Sequence, residues 1–325
     1  MIPFEYSTPK SLKEVQTDLK KYGSDAKLVA GGTALIIMMR QRLVRPTCLI
    51  SLRSVRGLNT IEQNNGALRI GGLTTHRDVE TSPLVRRRFP VLAETYHHVA
   101  TIRVRNMATV GGGLAHADPN QDPPPTLIAL GASIKASSAN ASRVIPLDEF
   151  FTDYYETVLR PDEIISEILV PKIAANTGAA YLKFLPRTAD DYATVSAAAV
   201  LTLDNTKKTI SDVRIAMGSV GTTPIRATAA EAVLRGQPVK PEAFAEAGEK
   251  AKEAVDPISD FRGSAAYKKE MVGVFVRRAL EKALANVPRE GKAKTLARRA
   301  AQKVTSISRK VKAKARRRAP KRRTR

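Results

Sequence analysis

Two short stretches of this chain have the composition to hold a phosphorylated ligand. Ala30-Gly31-Gly32-Thr33 follows an apolar run, and Ala108-Thr109-Val110-Gly111-Gly112-Gly113 lies well downstream. Each sets side-chain-free backbone beside a hydroxyl, which lets main-chain N–H groups reach a pyrophosphate with no Cβ in the way. Neither is GxGxxG or GxxxxGKS, so neither a Rossmann dinucleotide fingerprint nor a Walker P-loop is supported. Singly, each reads as a tight turn, and the information lies in having both. Thr33 and Thr109 are candidate donors for two phosphates, with Lys27 beside the first cluster as a candidate cation.

Other chemistries are excluded by inventory. With Cys48 as the only cysteine, neither an intramolecular disulfide nor a cysteine-ligated zinc site or iron–sulfur cluster can be built from this chain alone. His76, His97, His98 and His116 follow no HExxH or comparable spacing, and no metal site is expected. The net charge of +23 looks like a nucleic-acid signature, but 17 lysines and arginines against Glu290 alone fall in residues 289–325. The other 288 residues are ordinary for a globular chain, and their longest apolar runs fall short of the roughly 18 residues that argue for a membrane span.

The elements that must position the two clusters read as α+β. Residues 2–6 are extended, 11–22 carry Leu12, Val15 and Leu19 at helical spacing behind Ser11 as N-cap, and 27–30 begin a second strand, a βαβ unit. A helix over 34–42 and a strand over 47–51 close this subdomain. From residue 58 the pattern is a hairpin, 58–62 and 67–71 around Asn64-Asn65-Gly66, then helices at 75–80 and 91–98. The second glycine cluster is expected as a loop, followed by a proline-rich stretch over 119–125 and strands near 129–136 and 164–171. A boundary is expected at 176–179. Beyond it come strands at 181–185, 195–204 and 210–217 and helices such as 227–234 and 270–285, three strands followed by three helices.

On these residues the chain resembles a known family. Lys27-Leu28-Val29-Ala30-Gly31-Gly32-Thr33, Thr74-Thr75-His76, Ser82-Pro83-Leu84, Val104-Arg105-Asn106, the run from Thr109 to Pro119, and Arg187 with Asp190-Asp191-Tyr192-Ala193 stand in the order found in the FAD-binding (medium) subunit of molybdenum hydroxylases, the aerobic carbon monoxide dehydrogenase and xanthine dehydrogenase family. The resemblance covers roughly residues 1–286. It implies a vanillyl-alcohol-oxidase (PCMH) type FAD-binding domain over 1–176, with subdomains of about 1–56 and 57–176, then a small C-terminal α+β domain over 177–287 and a basic tail over 288–325.

The same resemblance implies the cofactor contacts. Lys27, Leu28, Val29, Ala30, Gly31, Gly32, Thr33, Ala34 and Leu35 in the first loop, and Ala108, Thr109, Val110, Gly111 and Gly112 in the second, would hold the diphosphate and ribityl parts of FAD. Val99, Ala100 and Val104 match positions along the flavin and its chain, and position 99 lacks the aromatic residue of xanthine-oxidising members. Asp122, Ile165 and Lys183 match further contacts. Asp190 and Asp191 would put negative charge beside the ring and lower its potential, or form a solvated turn. Tyr192 would cover a ring face or fill core, and His116 would bond the cofactor or serve as a loop histidine. The implied partners are a large molybdenum-cofactor subunit and a small [2Fe–2S] subunit, with the heterotrimer doubled and the acceptor quinone, NAD or oxygen. A stand-alone flavin oxidoreductase is the alternative.

The tail lacks aromatics and apolar periodicity, so it is expected to be disordered, with at most an electrostatic role toward nucleic acid, an acidic protein or an anionic membrane. The N-terminus carries no signal-peptide pattern. A cytoplasmic address is expected, with the inner membrane face as an option through the tail.

Overall fold

The computed structural model describes residues 2–185, 188 and 191–288. Contacts divide the chain into Met1–Asn286 and Val287–Arg325, and the architecture below is that of the first unit.

The first subdomain is a small parallel sheet with crossover helices: β1 (Glu5–Ser7), α1 (Leu12–Tyr22), β2 (Ala26–Val29), α2 (Leu35–Arg40) and β3 (Cys48–Ser51), in the order β1-β3-β2. Parallel neighbours need a crossover: α2 lies on the one from β2 to β3, while α1 carries the chain from β1 to the far edge strand β2. Ser11 starts it: its Oγ accepts from the Glu14 N–H at 3.3 Å, while Glu14 Oε2 accepts from the Lys10 N–H at 2.8 Å. Val15 and Leu19 then pack on Cys48 and Ile50.

The second subdomain runs β4 (Ile61–Asn64), β5 (Ala67–Gly71), α3 (His76–Thr81), α4 (Pro83–Arg88), α5 (Pro90–His97), α6 (Ile102–Met107), α7 (Val110–His116), α8 (Pro123–Ala129), β6 (Ser133–Ser137), β7 (Ser142–Pro146), the short pair β8 (Phe151–Asp153) and β9 (Glu156–Thr157), and β10 (Ile164–Val170). Its sheet, β4-β5-β10-β6-β7, is antiparallel, with helices over a core built on Leu68, Ile70, Phe89, Leu92, Tyr96, Leu127 and Ile168. The C-terminal domain is an antiparallel sheet of β11 (Thr177–Phe184), β12 (Val195–Leu203), β13 (Ile210–Gly218) and β14 (Ile225–Arg226), followed by α9 (Thr228–Leu234), α10 (Pro241–Ala251) and α11 (Ala265–Ala285).

Three local expectations are corrected. The second glycine cluster is not a loop: Thr109 caps α7, its Oγ1 accepting from the Gly112 N–H at 3.1 Å, and the glycines form the first turn. Their small size outweighs their poor helix propensity, because a Cβ on Gly111 would strike the Gly72 backbone. The proline-rich stretch feeds Pro123, Pro124 and Pro125 into the first turn of α8, where missing N–H groups cost nothing, and the strand expected from 129 begins at Ser133. Leu58 is buried but outside β4; its carbonyl accepts from the Leu73 N–H at 2.6 Å instead of joining a ladder.

Candidate functional site

The first glycine loop is shaped by what lies beneath it. A Cβ on Gly31 would run into the Met107 carbonyl at the end of α6, and Gly32 takes φ +71°, a conformation that side chains resist. Beside it Gly112 comes within van der Waals reach of Ala30: a Cβ there would lie 3.4 Å from the Ala30 methyl. The two clusters therefore meet, one from each subdomain.

They do not offer the same chemistry. In α7 the N–H groups are already used: Val110 donates to Thr74 O at 2.9 Å, Gly111 to Gly72 O at 2.8 Å and Gly113 to Thr109 O at 2.9 Å, and Gly112 caps on Thr109. In the first loop the N–H groups of Gly31, Gly32, Thr33, Ala34 and Leu35 have no acceptor among the described residues. Five adjacent, half-buried donors with no protein acceptor among the described residues, running into the start of α2, make a fitting surface for a diphosphate. The glycines of α7 contribute closeness of approach instead of donors.

A second constellation joins α8 to the C-terminal sheet. Asp122, at the head of α8, accepts from Lys183 Nζ at 2.9 Å and from the Tyr181 hydroxyl at 2.5 Å, all buried. Burial raises the Asp122 carboxyl above its ordinary range, against the opposing pull of Lys183 and Tyr181. Lys183 also donates to His98 O at 3.1 Å. A third constellation surrounds Glu80, whose carboxylate receives Arg77 at 2.8 Å, His97 Nδ1 at 2.9 Å and Arg105 Nε at 3.0 Å. Burial opposes its ionisation, but the three partners outweigh this and hold its carboxyl below the usual value.

The remaining candidates fall in differing surroundings. Tyr192 is 43% exposed with its hydroxyl on Asp118 Oδ2 at 2.8 Å, so it is not a core residue. Asp191 is paired with Arg262 at 3.4 Å, so the unbalanced negative charge expected there is met by a guanidinium. His116 lies against the Tyr155 ring at 5.1 Å and is held neutral to lower pH by burial. Ile165 is buried, its carbonyl pressed on Gly72. Lys27 is exposed on β2, and Val104 is half-buried on α6. Asp190, with Arg187, lies outside the described residues.

Family models match both halves of this architecture: "FAD binding domain in molybdopterin dehydrogenase" over residues 2–173 and "CO dehydrogenase flavoprotein C-terminal domain" over 180–283. The chain belongs to the FAD-binding family of the molybdopterin dehydrogenases. The carbon monoxide dehydrogenase medium chain of Hydrogenophaga pseudoflava is 39% identical over 287 residues, 88% of this chain and 99% of that one. The 6-hydroxypseudooxynicotine dehydrogenase complex subunit alpha of Paenarthrobacter nicotinovorans is 35% identical, over 86% and 94%. The solved carbon monoxide dehydrogenase from Hydrogenophaga pseudoflava superposes with a TM-score of 0.85 at 41% identity, covering 89% of this chain and 100% of that one.

The chain is thus an FAD-binding oxidoreductase subunit with the two-subdomain flavin fold and the small C-terminal domain. The residues present fit that cofactor: the open donors of 31–35 suit its diphosphate, and glycine at 112 brings α7 against Ala30 of that loop. The sequence assigns no role to Glu80, and Arg105 stands there only within the Val104-Arg105-Asn106 motif. Glu80 is signalled locally by Arg77 at helical spacing; Arg105 joins from another helix.

Proposed function

We propose that this chain is the electron-exit subunit of a molybdenum hydroxylase. A large partner subunit with the molybdenum cofactor oxidises the organic substrate, a small [2Fe–2S] subunit relays the electrons, and this chain passes them through FAD to quinone, NAD or oxygen, with the trimer doubled. The carrying observation is the set of five open N–H groups over Gly31 to Leu35, in a chain whose single cysteine leaves it unable to build its own cluster relay. FAD supplies both one- and two-electron chemistry when bound. This chain's residues bind and orient it: 27–35 and 108–112 hold the diphosphate and ribityl portion, Val99, Ala100, Val104, Asp122, Ile165 and Lys183 line the flavin side, and His116, Asp190, Asp191 and Tyr192 flank the ring.

No helix among the described residues is long and apolar enough to cross a membrane. We assign the chain a cytoplasmic address, and to the basic run 289–325, which lies outside the described residues, an electrostatic docking role at the inner face of the membrane or on acidic protein or nucleic acid. The test is purification of the chain alone and with its genomic neighbours. Flavin absorbance together with iron–sulfur bands, and substrate-dependent bleaching only in the assembled complex, is the expected result. A substrate-oxidising enzyme made of this polypeptide and FAD alone would overturn the proposal.

A further inference from the structure

The segment between α5 and α6 is held in an unusual way. Ala100 takes φ +38°, a left-handed conformation costing a non-glycine residue about 1 kcal/mol or more, and such strain persists only where the surroundings over-determine it. Here they do. Three consecutive carbonyls are turned onto two buried cations: His98 O accepts from Lys183 Nζ at 3.1 Å, and Val99 O and Ala100 O accept from one Arg105 nitrogen at 2.9 and 2.7 Å. Behind Arg105 stands Glu80, 3.0 Å from its Nε, with side-chain exposures of 10% for the arginine and 4% for the glutamate.

In a trans peptide the N–H points opposite to the C=O. With the Val99 and Ala100 carbonyls on Arg105, the N–H groups of Ala100 and Thr101 point away from it, and neither has an acceptor among the described residues. The turn therefore presents two adjacent donors, polarised from behind by a guanidinium, and donors strengthen when their own carbonyls are engaged by a cation. This is a fitting surface for a heteroatom edge that carries acceptors, as a flavin ring does. Arg105 also belongs to α6, whose terminal Met107 carbonyl abuts Gly31.

We propose that Arg105, backed by Glu80, is a positioning residue for the flavin ring: through the Val99 and Ala100 carbonyls it aims the Ala100 and Thr101 N–H groups at the acceptor edge of the ring. This deepens the FAD-site reading above and rests on it. Arg105 does not touch the cofactor; it acts through the main chain. The first glycine loop answers for the phosphates and the Arg105 turn for the ring, so the two can be separated by ligand.

The experiment uses the assembled complex containing the full chain, stripped of flavin, with FAD and ADP as the two probes. In Arg105→Lys the charge remains but the fork that reaches Glu80 and two carbonyls is lost. FAD affinity should fall about tenfold, the loss expected when two neutral main-chain hydrogen bonds to the ring are misaligned, while ADP affinity stays within about twofold. The visible bands of the residual bound flavin should shift and its midpoint potential should drop, because weakened donors stabilise the reduced ring less. Glu80→Gln, nearly isosteric, should change both in the same direction by a smaller factor, and it carries the test if Arg105→Lys does not assemble. An assembled variant with unchanged FAD affinity and flavin spectrum would overturn the proposal, as would equal losses of FAD and ADP, which would mark a merely structural arginine. Failure of the unsubstituted complex to bind either probe would overturn the site reading itself.

Discussion

Acid should destabilise this chain in a way that can be traced to one buried ring. His76 opens α3 beneath the second glycine helix, 5% exposed, with its ring edge-to-face on Tyr96 at 5.0 Å and its Nδ1 without a hydrogen-bond partner. Burial is the main reason its pKa falls from 6.5 to about 4; a hydrogen bond with the Thr109 main chain opposes the drop and the charge of Arg105 adds to it. Because the folded value lies below the unfolded one, the unfolded chain binds the extra proton between these limits. Stability from a neutral His76 is therefore present above pH 6.5 and is lost as pH falls toward 4. The whole gap is worth about 3 kcal/mol, of which about 2 kcal/mol is gone by pH 5. Urea unfolding of the full-length chain at pH 7 and pH 5, beside His76→Gln, isolates this share, since His98 and His116, shifted the same way by burial, remain in both proteins. The substituted chain should lose about 2 kcal/mol less between the two pH values. An identical acid loss in both would refute the reasoning.

Other consequences follow from the buried ion pairs and the tail. Lys183→Met should cost about 3–5 kcal/mol by leaving Asp122 buried without its cation, and since the Asp122 carboxyl is already raised, that cost should shrink on acidification in the same urea assay. Glu231→Leu should be as damaging, because the buried carboxylate receives the Ile215 N–H at 3.0 Å and two Arg226 nitrogens at 2.9 Å; a near-silent change in thermal midpoint would contradict this. A chain ending at Pro288 should keep full flavin content and assembly while losing retention on anionic vesicles and DNA at low salt. Equal retention of both lengths would remove the electrostatic role of the basic run.

Much of the fold was legible because its signals are local. Ser11 with Glu14, the spacing of Leu12, Val15 and Leu19, and Asn65-Gly66 between alternating strands each declare an element within a few residues. The second glycine cluster misled for a physical reason: glycine is a poor helix former, and only the Gly72 backbone, distant in sequence, makes a helix with glycines in its first turn the better solution. Likewise Asp122, Tyr181 and Lys183, or Glu80 and Arg105, are assembled by packing between elements, and no spacing rule connects them. Family resemblance pointed to Asp122 and Lys183 as contacts; the structure adds that they engage each other.

The central claim is that FAD is held at the first glycine loop, and flavin content measures it most directly. The assembled complex should carry about one FAD per copy of this chain, and Gly31→Val should reduce it to about a tenth or less with the subunits still together, because a branched side chain there meets the Met107 carbonyl and displaces the loop whose N–H groups are open. A stable Gly31→Val complex with undiminished flavin would contradict the account.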